Sequence, residues 1–173
     1  MNIVLLGYRG AGKSVVSKYL ARKLKRKIYR TDEMIVQLAG MSIPEIVQEK
    51  GWDEFRRLEA QVVADVCQQA RNSVIDCGGG VILNDENILK LKEGGKAVLL
   101  AASFATLLER IREDPNRPAL KNGVTFEEEQ RQILAEREEK YRAAADVVCD
   151  TTVKKPMDTV FEIINHCKKN RWI

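Results

Sequence analysis

The chain has 173 residues, a length that fits one domain and suffices to bury a substantial core. Hydrophobic residues at 45% and charged residues at 31% exclude a disordered or fibrous protein. A net charge of +4, from 29 basic and 25 acidic side chains, gives no reason to expect a nucleic-acid partner, although a basic excess suits small anionic substrates.

The first element is an apolar run of strand character, Asn2–Leu6, followed by Gly7-Tyr-Arg-Gly-Ala-Gly-Lys-Ser14 and a helical stretch, Val15–Leu24. The middle piece is a complete G-x-x-x-x-G-K-S phosphate loop. Between a strand and a helix N-terminus, its backbone N–H groups and the helix dipole would point at phosphate oxygens. Glycines at 7, 10 and 12 permit positive φ and close approach. Lys13 can reach β- and γ-phosphates, and the Ser14 hydroxyl can ligate Mg²⁺. The expected nucleotide cradle is Gly10, Ala11, Gly12, Lys13, Ser14 and Val15, and its ligand a nucleoside triphosphate.

A short second strand is expected at Lys27–Tyr29. Thr31-Asp32 follows it, and an acid there could take the proton of an attacking hydroxyl or cap a helix. From Thr31 to about Gln61 the pattern is helical with no strand, an insertion suited to a substrate-binding flap over about residues 32–61. Ser42-Ile-Pro-Glu45 reads as a capping box. Within Glu54-Phe-Arg-Arg-Leu-Glu59, Arg56 and Glu59 share a helical face. They are either a solvated pair or an arginine gripping a substrate carboxylate with its rotamer fixed by the glutamate. A helix is expected over Trp52–Ala70.

Ser73–Cys77 is the next strand, with Asp76 near its end and Gly78, Gly79 and Gly80 beyond. A carboxylate at a strand end is what phosphate-loop enzymes use toward Mg²⁺, so Ser14 and Asp76 form the expected metal set. Three glycines exceed what a turn needs and would offer backbone N–H groups to a substrate. Asp76-Cys-Gly-Gly79 also fits the D-x-x-G of GTPases, but no N-K-x-D guanine sequence accompanies it.

Downstream, helices are expected at Asp85–Leu91, Phe104–Arg112, Glu127–Ala144 and Met157–Lys168, and strands at Ala97–Ala101 and Val147–Cys149. The polar, Pro- and Gly-rich Glu113–Gly123 reads as a closing lid, about residues 113–125, whose Arg117 could swing onto a γ-phosphate. Thr125-Phe-Glu-Glu128 is a second capping box. Arg137 on spacing alone is an ordinary surface charge, and His166 is structural. The cysteines lack metal-ligand spacing and suit a reducing compartment. No 18-residue apolar span occurs, and the five-residue N-terminal run is too short for a signal peptide, so no membrane and a cytoplasmic location are expected. Continuous apolar strands alternating with amphipathic helices predict a three-layer α/β domain built on a parallel sheet.

Taken together the motifs resemble the shikimate kinase family. The matching pieces are G-Y-R-G-A-G-K-S at 7–14, T-D at 31–32, E-F-R-R-L-E at 54–59, G-G-G at 78–80, R-P-A-L at 117–120, Glu136-Arg137 with Tyr141-Arg142, and Asp150-Thr151 followed by Pro156. The resemblance implies a P-loop kinase fold with a five-stranded parallel sheet. It also implies MgATP-dependent phosphorylation of the shikimate 3-hydroxyl by a single kinase domain. Asp32 would be base or positioner, and Arg56 and Arg137 would clamp the substrate carboxylate, with Glu59 holding Arg56. Gly78, Gly79 and Gly80 would line the substrate. Lys13 and Arg117 would stabilise the transferring group, and Arg110 and Pro156 would flank the adenine. A related gluconate-type kinase, or a kinase-like regulator without turnover, are the other readings. A monomer is expected, because no heptad or apolar surface stripe demands a partner. One position departs from the pattern. Arg30 stands where many members carry the first acid of D-T-D, and Asp76 is the candidate to replace that acid in the metal shell, with Arg30 pairing with it or facing solvent.

Overall fold

The computed structural model describes residues 1–112 and 125–173. Five strands form one parallel sheet in the order β2-β3-β1-β4-β5. In chain order they are β1 (Asn2–Leu6), β2 (Ile28–Arg30), β3 (Val74–Asp76), β4 (Gly95–Ala101) and β5 (Val147–Asp150). All of β1 and β3 is buried, as the unbroken apolar runs require of strands covered on both faces. At the β5 edge Val148 is exposed.

The helices are α1 (Lys13–Leu24), α2 (Thr31–Ala39), α3 (Ile43–Gln69), α4 (Asp85–Gly94), α5 (Phe104–Arg112), α6 (Phe126–Ala144) and α7 (Pro156–Lys169). Helix α1 packs on α7 and strands β1 to β3, while α4 packs on α3 and β4. Both expected capping boxes form, at Ser42 with Glu45 and at Thr125 with Glu128. No helix among the described residues is long and apolar enough to cross a membrane.

The helix expected from Trp52 starts where Gly51, at φ 84°, breaks the helical geometry, so the run from Ile43 to Gln69 is two helices joined at a kink. Two differences from the sequence expectation have local causes. The glycine triplet leads into a 3₁₀ turn, Val81–Leu83, too short to carry a readable period. Strand β2 extends one residue further, to Arg30, because it pairs with β3 up to Asp76.

Register places the functional residues. Strand β1 pairs Leu5 with Asp76 on one side and Leu6 with Leu99 on the other. Strand β2 pairs Arg30 with Asp76. The phosphate loop, the start of α2 and the glycine triplet therefore leave the sheet side by side at its C-terminal edge, where open α/β sheets bind ligands. Ile75, between Val4 and Tyr29 in register, is 1% exposed. Ile75→Ala should cost about 2–5 kcal/mol of stability, read as a lower urea midpoint with unchanged m-value.

Candidate active site

Helix α1 begins without a side-chain cap. Its N-cap is Gly12 at φ 90°, and its first turn contains no acid. Among the described residues the first amide groups thus have no side-chain cap, which leaves them to an anion. Two other segments hold the loop in shape. Arg110 donates to the Gly10 carbonyl at 3.1 Å and to the Thr151 carbonyl at 2.9 Å. Thr151 Oγ1 lies 3.1 Å from the carbonyls of both Ala11 and Ala101. Ala11 is buried, Ser14 and Val15 are exposed, and Pro156 opens α7 on the surface. Lys13 curls back, its Nζ donating to the carbonyls of Gly7 at 2.8 Å and Tyr8 at 3.2 Å.

The three glycines have separate reasons. A Cβ at Gly78 would overlap Asp32 Oδ1, and one at Gly80 would overlap the Arg56 guanidinium. At Gly79 there is ordinary room for a Cβ; there the carbonyl accepts from the Tyr141 hydroxyl. Thr31 anchors the triplet from α2, its Oγ1 accepting from Gly78 N–H at 2.9 Å. Asp32 is not the N-cap of α2. Arg30 holds that position without a side-chain bond, and Asp32 sits in the first turn, turned onto Gly78.

Arg56 and Glu59 are not a solvated pair. Their ion pair is 2.6 Å long and Glu59 is 1% exposed. The guanidinium also lies 4.9 Å from the Phe55 ring centroid and 5.6 Å from that of Trp52. Arg137 of α6 is half-buried and within electrostatic reach of Glu59, Tyr8 and Tyr141, so the fold turns a nondescript helical charge into the second arginine of the cluster. Arg117 lies outside the described residues, as does nearly all of the lid expected over about 113–125. His166 packs its ring 4.9 Å from Trp172 on the far end of α7, away from this cluster.

Charge is concentrated here at a cost. Burial pushes the carboxyls of Asp32, Asp76 and Glu59 up, against the pull of Lys13 on the first two and of Arg56 on the third. Burial pushes the Lys13 ammonium down, with Asp76 and Asp32 opposing. Among the described residues, Asp32 Oδ1 and Glu59 Oε1 are buried with no hydrogen-bond partner. Asp32 Oδ1, against Gly78 at the glycine-lined edge, fits a polar ligand that completes it.

The donors present also suit a hard divalent ion. Asp76 Oδ2 accepts from Ser17 Oγ at 2.8 Å, and Ser17 lies three residues beyond the exposed Ser14 hydroxyl. Among the described residues no group of three or more His, Cys, Asp or Glu could hold a metal alone. The Ser14 hydroxyl and the Asp76 carboxylate are hard oxygen donors of the kind Mg²⁺ takes one or two of, beside waters and substrate phosphates. Arg30 does not pair with Asp76. Its ion pair is with Glu33, at 3.6 Å.

Several contributors carry no sequence signal of their own. Ser17 and Thr31 become supports only because β3 ends between them. Tyr8 bonds Gln130 Oε1 at 2.8 Å across 122 residues, and Tyr141 reaches Gly79 across 62. For Tyr141, a spacing of one helical turn from Arg137 was the available clue.

Comparison with known proteins gives a consistent picture. Residues 9–168 match the family model described as "Shikimate kinase". The chain is 41% identical over 151 residues to a shikimate kinase of Dechloromonas aromatica, covering 86% of this chain and 80% of that protein. It is 36% identical over 162 residues to shikimate kinase 2 of Photorhabdus laumondii, covering 92% and 91%. Among solved structures it is similar to the shikimate kinase from Acinetobacter baumannii in complex with shikimate. That match has a TM-score of 0.90 and 32% identity, and covers 98% of this chain and 93% of the other.

The charge cluster has a thermodynamic consequence. Asp32 has a raised folded-state pKa, so its stabilising contribution is fully present below the unfolded carboxyl pKa and is lost as pH rises through the folded one. Asp32→Asn should therefore raise the melting temperature of the ligand-free protein at pH 7. The gain should shrink toward zero as pH falls below the ordinary carboxylate range, in a series of thermal melts.

Proposed function

The chain belongs to the shikimate kinase family, and we propose that the cluster at the C-terminal edge of its sheet is where it moves the γ-phosphoryl group of ATP to the 3-hydroxyl of shikimate. The protein is an ATP-dependent shikimate kinase. The observation that carries the assignment of the site is Arg56, pinned at 2.6 Å by buried Glu59 and lying over Gly80 beside the phosphate loop. A guanidinium so fixed is prepared for bidentate recognition of a carboxylate. Arg137 supports it from α6.

The reaction follows from this placement. Phosphoryl transfer depends on positioning and charge far more than on covalent help. The uncapped first turn of α1 and residues Gly10 to Val15 hold the phosphates, with Arg110 and Pro156 on the adenine side. Lys13 exchanges the Gly7 and Tyr8 carbonyls for β- and γ-phosphate oxygens. The glycine triplet and the two arginines seat shikimate so that its 3-hydroxyl faces the γ-phosphorus. Asp32 orients that hydroxyl and accepts its proton as the oxygen–phosphorus bond forms. The bond to the β–γ bridging oxygen breaks and ADP leaves. Burial raises the Asp32 carboxyl above its ordinary value, which makes it a better proton acceptor. Arg117, from the segment expected to act as a lid, adds positive charge to the transferring group. Mg²⁺, held on the protein side by the Ser14 hydroxyl, would withdraw charge from the β- and γ-oxygens.

The same reading takes the chain as one kinase domain, with its acceptor region over about residues 32–61. It works as a cytoplasmic monomer on a small molecule, with no nucleic-acid or membrane partner.

A coupled ADP-release assay with shikimate, gluconate, nucleoside monophosphates and no acceptor tests the reading. Turnover is expected with shikimate alone; turnover with gluconate, or ATP binding without turnover, would overturn it. Arg56→Lys keeps the charge but loses the fork. It should raise KM for shikimate about 10- to 100-fold, a loss of about 1.5–3 kcal/mol, while KM for ATP changes little.

A further inference from the structure

We propose that Asp76, the last residue of β3, supplies the carboxylate that completes the Mg²⁺ shell around ATP, taking the part that the neighbouring strand end cannot play because Arg30 stands there. The inference rests on the kinase reading and names which of this chain's acids serves the ion.

Phosphate-loop enzymes draw one metal-shell carboxylate from a strand end beside the loop. Here β3 lies next to β1 and β2 lies beyond β3, and the last residues of these two strands are register partners, Arg30 and Asp76. An arginine has no lone pair to offer a cation, so β2 contributes no metal-directed group. The other acids are committed elsewhere. Glu59 holds Arg56, exposed Glu33 pairs with Arg30, and Asp32 is turned onto Gly78 over the acceptor shelf.

Asp76 is aimed by the helix that carries the metal's other ligand. Ser17, with no solvent exposure, lies 2.8 Å from Asp76 Oδ2 and 3.1 Å from the Ser14 carbonyl. The first turn of α1 thus ties the carboxylate to the backbone of the residue whose hydroxyl is exposed for the ion. Such supports fix metal-shell groups in orientation. A buried carboxylate bonded to one neutral hydroxyl is expensive as a purely structural choice. Its nearest cationic influence, Lys13, is the residue that phosphates draw away.

The surrounding charges also set when the ion binds. Lys13 and Arg30 face Asp76, with Glu33 and Asp32 as the opposing acids. These charges nearly cancel and give free Mg²⁺ little attraction, while the phosphate oxygens supply most of its shell, so the ion enters with the triphosphate.

Mn²⁺ is the probe, because its free aqueous form is counted directly by electron paramagnetic resonance, independently of turnover. In the complex of the full chain with ADP, Asp76→Asn should weaken Mn²⁺ binding about 10- to 100-fold. ADP binding in excess EDTA should stay within about twofold. Arg30→Asp added to Asp76→Asn should recover most of the loss. Arg30→Asp alone, at a half-exposed strand end, should tighten Mn²⁺ and serves should Asp76→Asn fail to fold. Without nucleotide, wild-type protein should hold Mn²⁺ far more weakly. Unchanged Mn²⁺ affinity in Asp76→Asn overturns the proposal. So does a loss matched by equal loss of metal-free ADP binding, or no tightening in Arg30→Asp. Absence of shikimate-dependent ADP release by the wild type would instead overturn the kinase reading, whatever the Mn²⁺ titrations give.

Discussion

The register of β1 between β3 and β4 is the constraint on which the site depends. Side chains on a strand alternate faces, so a slip of one residue would turn every core residue of β1 outward. Leu5 opposite Asp76 and Leu6 opposite Leu99 fix where the chain can leave the sheet. From those points the phosphate loop and the glycine triplet emerge at one level. Cys77 N–H continues the ladder to the Leu5 carbonyl at 3.2 Å, which carries the pairing to the foot of the triplet. Asp76, Thr31 and Lys13 are neighbours as a consequence. Removing any one of their side chains would leave the edge where it is.

At that edge the fold accepts an electrostatic cost. Lys13, Asp32, Asp76 and Glu59 all sit where burial favours their neutral forms, and two of the carboxylate oxygens have no partner among the described residues. A core selected for stability alone would place apolar side chains there. The pattern makes sense for a site whose missing partners arrive with its substrates. Phosphates would satisfy Lys13 and the uncapped start of α1, and acceptor hydroxyls would satisfy Asp32. The rigid parts surround this costly centre: Glu59 clamps Arg56, Arg110 and Thr151 brace the loop, and Tyr141 braces the triplet.

Much of this was legible in the chain before folding. The G-x-x-x-x-G-K-S spacing, the Arg56–Glu59 interval and the Gly78–Gly80 run are local patterns whose chemistry does not depend on distant residues. Both capping boxes were readable for the same reason. Arg137 and Tyr141 were different, since a charge and an aromatic on a long polar helix have no meaning until that helix is laid across the glycine triplet. Ser17 looked like any small residue in α1. The helix N-cap suggested for Asp32 failed because α2 begins directly after β2, at Thr31 with Arg30 as its N-cap, which places the acid in its first turn.

The sequence by itself determined the parallel α/β class, the triphosphate loop and the shared helical face of Arg56 and Glu59. Each is written in hydrophobic period, glycine spacing or an interval of one helical turn. Tertiary structure alone decided which side chains face one another: Asp32 against Gly78, Arg137 near Glu59, and Arg30 opposite Asp76. Those relations arise from strand register and crossover packing over separations of tens of residues, where no local pattern records the distance between two side chains.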